Sequence, residues 1–266
     1  MNLFDYAFMV RALWVGLLVS LTAPLIGQTI VLRRMSMVGD AVAHTTLAGV
    51  AIGLILGFDP LITALVTSVI GVVLVDGLRT RLPQYGEVSI AILMSLGIGL
   101  AGTLSSFVRD TNRFSSFLFG SIVAISEQEM ILITLVVAIV VAVYLLFYKE
   151  IFAVTFDETM AAFNGMPVKL INFVTMLLLG VTLSMAAKTV GSLILSSLLV
   201  LPVASALQIA RSYRTTLLWS IVFSMITMLG GLVLSFYFGL KPGGAVVLLA
   251  VALYIALLPL SKRSHR

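Results

Sequence analysis

Asp40 and His44 stand one helical turn apart within residues 33–49, RRMSMVGDAVAHTTLAG, and the chain's other histidine, His265, lies next to its last residue. Spacing of i,i+4 puts a carboxylate and an imidazole on one face of a helix. The stretch around them is apolar, and ionisable groups inside a membrane span are costly enough to be a functional hypothesis by default. Neutral imidazole and carboxylate both ligate Zn²⁺ or Mn²⁺. Two donors do not make a site; two copies of the chain facing each other would supply two Asp and two His. Ligation requires a neutral imidazole, so passage of a metal should fail as the pH falls through the titration of His44. The competing reading is a polar pair that bonds to itself or to a neighbouring helix as packing glue.

The rest of the composition says what must hold that pair. Of 266 residues 61% are hydrophobic and 10% charged, whereas soluble domains carry roughly 25% charged residues. The chain reads as one transmembrane domain over 1–266, a polytopic all-α bundle with short loops in a lipid bilayer. The formal net charge of +5 is spread as ones and twos at the ends of apolar runs, which is a topology signal and not a nucleic-acid patch. No cysteine is present, excluding disulfides and thiolate metal sites. The first residues, MNLFDYAFMVR, lack the basic n-region of a signal peptide, so the apolar run that follows is read as the first span. Neither a GxxxxGK[ST] phosphate loop, an HExxH motif nor a GxSxG elbow occurs, so the chain is expected to be a transport subunit and not itself an ATPase, zinc protease or serine hydrolase.

Apolar windows of about 20 residues, the length that crosses the hydrocarbon, fall near 8–31, 36–57, 60–78, 88–108, 129–148, 168–187, 190–209, 215–239 and 244–260. Nine spans are expected, with eight or ten tolerable, and 115–126 is too short to cross and reads as a surface or re-entrant helix. Threading the nine puts Arg33, Arg34, Arg79, Arg81, Lys149, Lys169, Arg211, Arg214, Lys262, Arg263 and Arg266 on one side, with Arg11, Arg109, Arg113, Lys188 and Lys241 opposite. The richer side is cytoplasmic by the positive-inside rule, so the C-terminus is expected inside and the N-terminus outside. A helix from Met35 would place Asp40 ~8 Å and His44 ~14 Å in from that side. Pro24 and Pro202 should kink or break their spans, and broken helices often line transport sites. Gln28, Asn172, Gln208, Ser196 and Ser197 are expected to bond mainly to backbone, and Asp76 and Glu87 to be solvated at membrane edges. The longest loop, 149–167, is acidic for this chain, and Asp157 should cap a short helix with Glu158 in its first turn.

Four stretches carry a resemblance. VLRRMSMVGDAVAHTTLAGVAIG at 31–53, SSFLFGSIVAIS at 115–126, TFDETMAAFNG at 155–165 and TVGSLILSSLLVLPVASA at 189–206 are similar, in order, to the signatures of permease subunits of ABC-type zinc, manganese and iron importers. The resemblance implies a type II importer-like fold in a bacterial-type cell membrane and a homodimer with two ATPase subunits docked on its cytoplasmic face. An extracytoplasmic metal-binding protein would deliver the ion, with zinc or manganese as transported substrate and no permanent cofactor. Asp40 and His44 match the family's membrane Asp and His. Phe156, Asp157, Glu158, Ala161, Ala162 and Gly165 match the segment that couples to the ATPase, and Ser196, Ser197 and Pro202 fall in a span that would line the pathway. Two positions depart from the pattern: Glu87-Val88 replaces an acidic pair, and Ser116-Phe117 replaces a histidine before LFG. The rival expectation is a stand-alone, proton-coupled secondary transporter with Asp40 as the proton carrier.

Overall fold

A computed structural model of the chain describes residues 5–81, 83–121, 123 and 125–264; the first four residues, Leu82, Ile122, Ala124, His265 and Arg266 lie outside that set. Twelve α-helices occur among the described residues: α1 (Ala7–Leu32), α2 (Ser36–Leu56), α3 (Pro60–Arg81), α4 (Gly86–Ser105), α5 (Thr111–Phe119), α6 (Glu127–Leu146), α7 (Tyr148–Phe156), α8 (Glu158–Phe163), α9 (Val168–Val190), α10 (Leu195–Leu207), α11 (Tyr213–Phe238) and α12 (Pro242–Ser264). Eight of them, α1, α2, α3, α4, α6, α9, α11 and α12, are long and apolar enough to cross a membrane. The protein is a multi-pass membrane protein.

The ninth window, 190–209, is the one that departs from a simple span. Helix α9 stops at Val190, Gly191 takes φ 98, a 3-10 turn covers Ser192–Ile194, and α10 has only 13 residues. At ~1.5 Å per residue α10 is ~20 Å long, yet it still returns the chain from one end of the bundle to the other. Gly191 lies against Leu118, whereas Leu207 shares a cavity with Leu32 and Phe156. Among the described residues, then, eight helices are long enough to span and the ninth window is filled by this short one. The break falls at Gly191 and not at Pro202; α1 and α10 each continue through their prolines.

Three glycines explain how the broken segment packs. A Cβ on Gly120 would stand 2.5 Å from the Thr189 carbonyl oxygen, one on Gly191 2.4 Å from that of Leu118, and one on Gly243 1.9 Å from that of Val190. Backbone thus lies on backbone where the end of α5, the α9–α10 break and the start of α12 meet. Gly120 and Gly191 also have positive φ, so a side chain there meets both strain and collision.

Helices α1, α2 and α9 form the enclosed centre, with 72%, 72% and 67% of their spanning windows buried against 28% for α4, α6 and α12. The long loop is mostly helix: α7 follows α6 after a break at Phe147, and Asp157 caps α8 by accepting from the Thr159 and Met160 amides, both at 2.9 Å. Some of the charges group by end of the bundle. Arg33 lies near Arg79, Lys149 and Arg214 line one cavity, and Arg113 and Lys188 share a cavity with Asp59 and Glu129 at the other end.

Candidate functional site

Helix α2 begins at Ser36, so Asp40 is ~6 Å and His44 ~12 Å along its axis. From Val38 to Ala51 every residue of α2 is buried except Asp40 and His44, which are half-buried. The rest of that helix is small and apolar, with Gly39, Ala41, Ala43, Ala48, Gly49 and Ala51 among it, and is covered by neighbouring helices. Between Val38 and Ala51 the pair thus faces a gap in the wall around α2, and neither side chain has a hydrogen-bond partner among the described residues.

Glycines fix the edges of that gap. Gly97 of α4 would, with a Cβ, meet the Thr45 nitrogen at 2.8 Å, the His44 carbonyl carbon at 2.9 Å and the His44 Cβ at 3.0 Å. Close approach of this kind is how small residues let membrane helices pack. On the other side Gly39 approaches α10, where a Cβ would stand 3.2 Å from Leu199 and 3.8 Å from Ser196. Ser196, Val200 and Ala204 are half-buried at i, i+4 and i+8 along α10. Ser197 is also half-buried, whereas Pro202 is buried, which removes it from any open surface of this chain. Among the described residues no three His, Asp or Glu side chains gather to hold a metal; Asp40 and His44 are a two-donor set.

A second feature ties this helix to α8. Arg33, in the corner between α1 and α2, donates from Nη1 to Asn172 Oδ1 at 2.8 Å, and its Nη2 pairs with Glu158 Oε1. Asn172 Nδ2 donates to the same Glu158 oxygen at 3.3 Å. The guanidinium side chain is only 9% exposed, and that of Glu158 48%. Burial and the nearby Arg79 push the Arg33 pKa down to about 10 against the opposing pull of Asp76, so it remains a cation at neutral pH. The corner is tight enough that Arg34 takes φ 57, a left-handed conformation few non-glycine residues adopt. A displacement of α8 therefore reaches Arg33 directly, seven residues before Asp40.

The residues expected on the coupling segment divide. Phe156, Asp157, Glu158, Ala162 and Gly165 are exposed, but Ala161 is 2% exposed and packs inward. Met160 and Phe163, not singled out from the sequence, are exposed, Phe163 by 82%. An apolar surface of this kind marks an interaction site, and a phenylalanine and a methionine beside the polar residues Asp157, Glu158, Thr159 and Asn164 were the available signal. Asn172 bonds to side chains and not to backbone, while Gln28 and Gln208 do reach backbone, at Tyr213 and Tyr254.

The opposite end is held by a buried pair, Lys188 to Glu129, with side chains 6% and 10% exposed. Glu129 also closes the capping box of α6 with Ser126.

Known proteins are similar to this chain along most of its length. The chain is 32% identical to the high-affinity zinc uptake system membrane protein ZnuB of Haemophilus influenzae, over 96% of this chain and 97% of that one. It is 30% identical to the manganese transport system membrane protein MntC of Listeria monocytogenes, over 95% and 90%. Its fold superposes on the solved structure of PsaBC from Streptococcus pneumoniae in complex with Fab with a TM-score of 0.86 at 28% identity, covering 96% of this chain and 92% of that chain. With residues 5–260 matching the ABC 3 transport family, the chain belongs to that family.

Proposed function

We propose that this chain is the membrane-spanning subunit of an ATP-driven importer of a divalent transition metal, zinc or manganese, working as a homodimer. The observation that carries this reading is the gap on α2: Asp40 and His44 are the residues between Val38 and Ala51 left uncovered, and they offer two donors of the type Zn²⁺ and Mn²⁺ accept. A second copy placed across that gap would complete a set of two carboxylates and two imidazoles. The metal names borne by ZnuB and MntC support the substrate class, and the donor set suits both ions.

In this reading the Arg33 end is cytoplasmic, consistent with its share of the basic residues. An extracytoplasmic metal-binding protein would deliver the ion to the other end. Two separate ATPase subunits would grip α8 through Phe156, Met160 and Phe163, with Asp157 holding the helix formed and Ala162 and Gly165 on its exposed side. Their closure would move α8 and, through Glu158 and Arg33, the start of α2. Access would then alternate about the Asp40/His44 level. Ser196 and Ser197 on α10 would contribute hydroxyls to the wall; Pro202 would not.

Proteoliposomes test the coupling. Vesicles holding the chain with its ATPase subunits and delivery protein should accumulate labelled zinc or manganese only when ATP is supplied. Uptake by the chain alone, driven by a proton gradient, would instead establish the secondary-transporter reading.

A further inference from the structure

A cavity of about 350 Å³ lies between α7 and the start of α11, lined by Tyr148, Lys149, Phe152, Ser212, Tyr213 and Arg214. Its volume is that of a small-molecule pocket. The floor is aromatic: the Phe152 and Tyr213 rings meet edge-on with centroids 4.9 Å apart, and Tyr148 lies 6.1 Å from Tyr213. The rim is cationic, since Lys149 and Arg214 are both exposed and neither has an ion-pair partner among the described residues. The acidic neighbour Glu150 is not among the lining residues.

The level of the cavity along the bundle selects its ligand. The candidate span of α6 ends at Leu146, three residues before Lys149, and that of α11 begins at Tyr213, one residue before Arg214. Two cations with tyrosines at the point where spans meet water stand at headgroup depth, and basic pockets between spans at that depth take anionic headgroups. Arg supplies paired donors to a phosphate and Lys a point charge, while the aromatic floor lies against the upper part of the acyl chains.

We propose that this cavity binds the headgroup of an anionic phospholipid, its phosphate held between Lys149 and Arg214. The bound lipid braces α7 against α11. Phe156, the residue before the cap of α8, touches both Phe152 and Tyr213, with ring centroids at 5.0 and 5.9 Å, so the lipid acts one ring away from α8. This assignment does not depend on the metal reading.

The test titrates the detergent-purified full chain with dihexanoyl phosphatidylglycerol and follows its thermal midpoint. Parallel titrations use dihexanoyl phosphatidylcholine and inorganic phosphate. The wild type should show a saturable rise with phosphatidylglycerol and little with the other two. The Lys149→Gln/Arg214→Gln double variant should start within a degree or so of wild type, both residues being exposed, and need at least ten-fold more lipid for the same rise. If that variant unfolds early, the charge-conserving Lys149→Arg/Arg214→Lys exchange, expected to keep the response, and the two single glutamine variants, expected to weaken it, decide. A full response in the glutamine variants, an equal response to phosphatidylcholine, or saturation by inorganic phosphate at the same concentration overturns the proposal.

Discussion

Replacing Glu158 by glutamine removes the carboxylate facing a guanidinium that is 9% exposed and leaves Asn172 as its remaining partner. Exposed ion pairs contribute about 0–1 kcal/mol, and stripping one member from a buried pair costs about 3–5 kcal/mol. Glu158 is half exposed, so water screens the pair and can partly replace the lost oxygen, and Asn172 still accepts from Nη1. Those facts place Glu158→Gln near the lower range, at about 1.5 kcal/mol. On the size scaling of larger domains that corresponds to roughly 3–6 °C in the thermal midpoint. The assay is a double-mutant cycle, Glu158→Gln with Arg33→Gln, on the detergent-purified chain, with ATP-driven uptake measured on the same variants. Each single variant should lose uptake out of proportion to its loss of stability, because the tie between α8 and α2 is cut. A coupling energy under about 0.3 kcal/mol, the scatter expected of independent sites, would refute the tie, as would a shift no larger than that of the exposed control Glu127→Gln.

Other consequences can be checked separately. Gly97→Val should drive α4 off the backbone of His44 and abolish uptake, while Gly99→Ala, whose added carbon meets nothing within 4 Å, should leave uptake near wild type. Asp157→Ala removes the cap of a six-residue helix, costing about 0.5–2 kcal/mol locally; hydrogen exchange at the Thr159 and Met160 amides should quicken while exchange in α9 stays unchanged. Lys188→Met strands Glu129 at the opposite end, and a loss of about 3 kcal/mol is expected, read as a lower unfolding midpoint that Glu129→Gln in the same chain partly restores. Arg33, with its pKa lowered to about 10, is protonated in both folded and unfolded chains below that value. Its burial therefore adds no slope to stability between pH 6 and 9. Above about pH 10 the folded state sheds the proton first, and the difference between wild type and Arg33→Gln should move in favour of wild type as pH rises.

The legible parts of this fold are those written in local periodicity and in single residue types. Apolar run lengths located the eight long helices, Asp157 announced its cap, and the mismatch of Asp40 and His44 with their surroundings marked α2. Long-range pairing was not legible. Lys188 inside an apolar helix signals that a buried partner exists, but nothing in its spacing points to Glu129, 59 residues away. Arg33 to Glu158 is the same case across an even longer separation. The windows ending at 187 and starting at 190 put a turn near Gly191 but not its place, because a window average counts apolar residues and is blind to where a helix stops; the prolines drew attention to themselves, yet helices tolerate a proline when neighbours re-satisfy the freed carbonyl. Ala161 was grouped with its exposed neighbours because a six-residue helix is too short for periodicity to separate its faces.

In the proposed mechanism the divalent ion passes between paired Asp40 and His44 side chains. That passage is tested most directly by uptake of labelled zinc and manganese at limiting concentration in cells lacking the native chain, complemented by wild type, Asp40→Ala or His44→Ala at equal membrane abundance. Wild type should restore entry of one ion, and neither variant should. Normal uptake by either variant would contradict that mechanism and leave the pair as packing between α2 and its neighbours.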